Sequence, residues 1–144
     1  MSQLAPLRET EECWAGLVAS ASLSASLSLS RGNGIYTGLD NENKSAPCVI
    51  VWAEKGTEYD FRDSGMWNVT LHVLVKEMAS DSSIMSNLAD NVFSYLGNEN
   101  VMMPQLNAYS GYHVYKYWNS ATNDLTNGDA LVQQYTFDVI SALT

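Results

Sequence analysis

At 144 residues, with 46% hydrophobic and 16% charged side chains, the chain has the size and apolar content of one globular domain and is too short for two sizeable cores. Sixteen Asp and Glu against seven Lys and Arg leave a net charge of −9. A surface of that sign repels phosphate backbones and excludes sequence-independent nucleic-acid binding.

Leu4, Leu7, Trp14, Leu17, Val18 and Ala21 share one face at 3.6 residues per turn, which predicts a helix from Pro6 to Ala21. Glu9, Glu11 and Glu12 fall near its start, where the helix dipole favours carboxylates. Residues 17–29 carry a serine at five of thirteen positions and follow those acids. They therefore lack the basic flank and continuous apolar run of a secretory signal, and no run is long enough to span a bilayer. A soluble, cytosolic protein is the expectation. Ala19 to Ser30 alternates with serine, and serine's competition for backbone hydrogen bonds predicts that the helix frays there. Arg31-Gly32-Asn33-Gly34 reads as a turn and Gly38 to Pro47 as a polar surface loop.

Cys48-Val49-Ile50-Val51-Trp52-Ala53 is a β-branched apolar run, the pattern of a strand covered on both faces. Glu54 to Gly65 reads as a charged connection whose two glycines mark a loop. In Trp67 to Lys76 the alternation of Trp67, Val69, Leu71, Val73 and Val75 with Asn68, Thr70, His72, Leu74 and Lys76 is the clearest strand pattern, with the first set as its core face. Ser80 or Asp81 caps a helix of about four turns that carries Ile84, Leu88, Val92, Phe93, Tyr95 and Leu96 on its apolar face and stops at Gly97. Tyr112 to Trp118 and Leu131 to Ala142 read as strands joined by the polar residues 119–129. The order α-β-β-α-β-β predicts a single α+β domain over residues 1–144, an antiparallel sheet of about four strands with two helices on one face.

Catalytic patterns are weak. No Gly-x-Ser-x-Gly elbow or glycine-rich phosphate loop occurs, Asp40 to Lys44 lacks the glycine and spacing of a calcium loop, and Cys13 and Cys48 lack zinc or disulfide spacing. Cys48 with His72 or His113 is the one conceivable dyad. The sequence predicts no catalytic residue, no metal and no cofactor, with both thiols packed in the core. Tyr109, Tyr112, Tyr115, Tyr117 and Trp118 form the densest aromatic cluster. Strand alternation points some members outward, as the residue types that anchor protein interfaces. Tyr59 and Phe61, set among Glu58, Asp60, Arg62 and Asp63, read as a projecting arm with the same role, or as a loop folded back over the sheet.

The element order, together with Ile35-Tyr36-Thr37-Gly38, Ala46 to Val51, Trp67 to Lys76, Leu88 to Leu96 and Gln133 to Val139, resembles the tail-terminator or tail-completion proteins of tailed bacteriophages. The resemblance covers most of the chain and rests on pattern and element order. It departs from the family in the serine-alternating segment and in the aromatic stretch from Tyr109 to Trp118. It implies a structural virion protein, not an enzyme, that forms a homo-oligomeric ring, usually a hexamer. Such a ring, built in the host cytoplasm, caps the tail tube and joins it to the head connector at the neck. DNA then passes through the lumen without sequence-specific binding. Partner-interface residues expected on this reading are Tyr59, Phe61, Tyr115, Tyr117 and Trp118. The rival classes are a small soluble binding module for a carbohydrate or peptide and an undetected hydrolase.

Overall fold

The computed structural model describes residues 5–20, 29–38, 44, 47–58, 65–78, 82–125 and 130–144. Chain order is α1 (Leu7–Ser20), β1 (Ser30–Arg31), β2 (Gly34–Thr37), β3 (Cys48–Glu58), β4 (Met66–Met78), α2 (Ser82–Leu96), α3 (Glu99–Leu106), β5 (Tyr112–Asp124) and β6 (Ala130–Leu143). The strands form one sheet in the order β1-β2-β3-β4-β6-β5. β3, β4, β6 and β5 pair antiparallel, and β1 and β2 add parallel pairings at the β3 edge.

The α+β expectation therefore holds with a correction: among the described residues the sheet has six strands and is mixed, and three helices pack on it. The additional elements are short. β1 and β2 span two and four residues, below the length at which periodicity shows. α3 has eight residues and carries Pro104 inside it, and a proline that removes a helical hydrogen bond argues against helix in sequence.

Register explains the core. On the face toward the helices, Ala53, Leu71 and Phe137 lie side by side across β3, β4 and β6, and the next row places Val51, Val73 and Tyr135 together. α1 contributes Cys13, Trp14, Ala15 and Val18, α2 contributes Leu88, Ala89, Val92 and Leu96, and α3 contributes Met102 and Leu106. Full burial of each large side chain contributes roughly 1.5–3 kcal/mol. The other face carries a smaller buried cluster of Cys48, Ile50, Trp52, Leu74 and Val132, so β3 is covered on both sides as its apolar run predicts.

α1 is pinned at both flanks of the sheet. At the β5 end, the Thr10 hydroxyl lies 2.6 Å from the Pro6 carbonyl and 2.8 Å from the Tyr112 hydroxyl. At the β3 end, the Glu11 carboxylate accepts the Ala53 N–H at 2.9 Å, supplying an edge donor with the partner it lacks. Burial raises the Glu11 pKa against that hydrogen bond, and Glu12 adds to the rise. Residues 21–28, the serine-alternating segment, lie outside the described residues.

Both hairpins are longer than expected. β3 continues through Glu58 and β5 through Asp124, because each extension pairs with a strand that is itself held on its other side: Lys55 faces Val69, which faces Val139, and Asn123 faces Gln134, which faces Leu74. Gly56 thus belongs to a strand and not to a loop. It sits at a register shift between Lys55 and Glu58, and a Cβ there would be driven into the Asn68 carbonyl oxygen. Gly56→Ala is expected to cost about 1–3 kcal/mol in urea unfolding. A neutral result would show that the two backbones separate freely.

Candidate assembly surface

The aromatic strand β5 is an edge strand with two register shifts, between Val114 and Lys116 and between Asn119 and Ala121. Each extra residue breaks the alternation of faces. Tyr112, Val114 and Tyr117 all point inward as a result, at 2%, 0% and 3% exposure. Tyr117 meets Trp14 edge-on at 5.1 Å. This corrects its expected place at the outer surface: the protomer's own core takes its ring.

Tyr115 and Trp118, by contrast, are 49% and 40% exposed. His113 packs edge-on to Tyr115 at 4.4 Å, and the Lys116 ammonium lies 6.0 Å from the Trp118 ring centroid. Asn107 donates to the Val114 carbonyl and accepts the Val114 N–H, closing the β5 edge at that point. From Tyr115 to Asp124 the edge has no strand partner among the described residues. Bulges and a lysine are devices that keep such an edge from pairing indiscriminately. Val101, Tyr109 and Leu125 are further exposed apolar side chains on or beside this flank. The other expected anchors, Tyr59 and Phe61, lie outside the described residues.

Beside Trp118 a groove of about 610 Å³ opens between the α2–α3 turn and β5, lined by Phe93, Ser94, Gly97, Asn98, Glu99, Tyr117, Trp118, Asn119 and Phe137. Nothing in the sequence marks it, because its walls come from two helix termini and two strands that only tertiary packing brings together. The Tyr117 hydroxyl is shielded from solvent and has no hydrogen-bond partner. Burial, followed by the Glu99 carboxylate, pushes its pKa up.

The residues considered for chemistry are held apart. Cys48 pairs with Lys76 and Trp52 with His72, so Cys48 and His72 lie four residues apart along the ladder, about 13 Å at strand rise. His113 is three strands from Cys48 and is also offset along them, since Cys48 is level with Val132 and His113 with Ala142, which separates the two by more than about 30 Å at strand rise. His72 is half-buried: it stacks on Trp52 at 5.0 Å, its Nδ1 lies 3.0 Å from Gln134 Nε2, and its Nε2 is 3.3 Å from Glu54. Both cysteines are buried free thiols.

Burial pushes Cys13 up to about 12 and Cys48 up to about 11, with Lys76 lowering and Glu77 raising the latter. Tyr112 rises to about 12, again by burial against its bond to Thr10. These groups are neutral in the fold but ionise in the unfolded chain from about pH 8.5 for a thiol and about 10 for a phenol. Stability is therefore complete below those values and falls as pH rises toward 12. Tyr112 alone should remove about 3 kcal/mol across that span. Urea titrations at rising pH test this, with Tyr112→Phe expected to flatten the decline above pH ~10.

No family model matches the chain, and no curated protein matches its sequence. Among solved structures, a chain from "Virion of native gene transfer agent (GTA) particle" is similar at a TM-score of 0.57 and 14% identity, over 94% of this chain and 95% of that one. The likeness extends over nearly the whole of both chains, and what it shows is a shared fold.

Proposed function

We propose that this protein is a structural component of a tailed-phage or phage-like virion, forming a ring that terminates the tail tube and joins it to the head connector. The observation that carries the reading is the fold likeness to a chain of the gene transfer agent virion, end to end in both proteins. A protein whose work is assembly needs no catalytic constellation, and on this reading it is not an enzyme. The exposed Tyr115 and Trp118 on an open strand edge supply the anchors a ring contact needs. Six copies are the number implied by the family the sequence resembles. A chain of net charge −9 suits a lumen through which DNA slides without adhering. The ring would sit at the neck or the top of the tail, after assembly in the host cytoplasm.

Negative-stain microscopy of particles labelled through a tag on this chain tests the reading. Ring-shaped label at the head–tail junction is the expected result; label on the capsid shell or the distal tail overturns it. A second reading, a peptide- or carbohydrate-binding module, is favoured by the aromatic groove beside Trp118. It predicts a protein that stays monomeric and is missing from purified particles.

A further inference from the structure

The groove between the α2–α3 turn and β5 has a one-sided chemistry. Its only charged lining residue is Glu99. Asn119 commits both of its amide hydrogens, to the Ala121 and Thr136 carbonyls at 3.0 Å each, and its Oδ1 accepts the Thr122 hydroxyl at 3.4 Å, so what it can still offer is the second lone pair of Oδ1. The Asn98 side chain makes no capping bond to α3 and is available. Tyr117 brings a hydroxyl without a partner from a side chain that is 97% buried, a group that costs free energy unless something bonds it. The influence of Glu99 on that phenol puts the carboxylate and the hydroxyl within electrostatic reach of each other. Phe93, Trp118 and Phe137 provide aromatic surface around these acceptors.

We propose that this groove is a binding site for an arginine side chain presented by a protein partner. A guanidinium is planar, permanently charged and carries five donors without an acceptor. Glu99 pairs with its charge, Asn119 Oδ1, Asn98 and the Tyr117 oxygen take its hydrogens, and Trp118 or Phe93 stacks on its plane. An anion at the start of α3 would instead meet Glu99 head-on. A lysine ammonium would satisfy the carboxylate but leave the aromatic faces and the spread of acceptors unused. The assignment goes beyond the ring reading and is independent of it, since the chemistry belongs to one protomer.

The test is a titration of the isolated, isotope-labelled protein, followed by amide and indole NMR shifts. The probes are N-acetyl-arginine amide, its neutral isostere N-acetyl-citrulline amide, N-acetyl-lysine amide and N-acetyl-glutamate amide. The arginine probe should give saturable shifts at Gly97, Asn98, Glu99, Asn119 and the Trp118 indole, weakening as salt is raised. Citrulline should bind about tenfold more weakly or not at all, and lysine several-fold more weakly. Glu99→Gln, at an exposed position, should reduce arginine affinity about tenfold, and Tyr117→Phe, which keeps the ring packing, by a smaller factor. Absence of saturable shifts, equal binding of citrulline or lysine, preferential binding of glutamate, or an unaffected Glu99→Gln would each overturn the assignment. Microscopy of particles reports on the ring separately, so a failure of one is not mistaken for a failure of the other.

Discussion

Leu71→Ala is expected to lower the free energy of unfolding by about 2–5 kcal/mol, and Thr70→Ala, one residue away, by less than about 1 kcal/mol. β4 lies between β3 and β6. Leu71 sits in register between Ala53 and Phe137 and is fully buried. Removing its branched end would leave a cavity that neighbours on a hydrogen-bonded ladder cannot collapse to fill, so the lost transfer energy and the lost contacts add. Thr70 is on the outer face between Glu54 and Asp138, half-buried, and its truncation opens toward solvent. Urea titrations with unchanged slope would measure both values. Equal losses would mean that β4 presents the wrong face to the helices, and with it the whole sheet register would fail.

That register was legible because β4 alternates from Trp67 to Val75 with Leu74 as the one apolar residue in the opposite phase, and a one-residue slip would turn the whole core set to the other face. α2 was legible for a similar reason, with Leu88, Val92 and Leu96 on one stripe and a glycine at the end. β2 was not. Its single fully buried large side chain, Ile35, carries no period, and its parallel pairing to β3 is decided by tertiary contact. The inward turn of Tyr117 was hidden too, because a bulge is one inserted residue and leaves composition unchanged. With three residues from Val114 to Tyr117, simple alternation assigns them to opposite faces, whereas the fold buries both. The outward half of the aromatic cluster could be expected as a class, but its membership depended on that bulge. The groove at Glu99 had no signal at all, since no two of its walls are contiguous in a pattern that sequence periodicity reads.

Changing Tyr115 and Trp118 together to Ser should leave the melting temperature of the isolated protomer within a few degrees of the parent and prevent its incorporation into particles. Both rings are nearly half exposed on an edge strand, so their removal takes little packing from the fold, and surface changes of this kind stay within about 0.5 kcal/mol each. In an interface the same side chains would be desolvated anchors. Truncation of an anchor commonly costs about 2 kcal/mol or more, roughly 30-fold in affinity for each. Tyr117→Ser supplies the contrast. Its ring packs edge-on against Trp14 in the core, so it should unfold the protomer earlier, by about 2–4 kcal/mol, and lose assembly only through that instability. Because Trp118 also lines the groove, Tyr115→Ser alone separates the two surfaces: it should impair incorporation while leaving arginine binding intact. Thermal unfolding of the purified variants, followed by complementation of particles lacking this protein, gives the answer. Normal incorporation of the double variant, or a melting temperature as low as that of Tyr117→Ser, would remove the open edge of β5 from the assembly surface and move the search to the opposite flank, where β1 and β2 border β3.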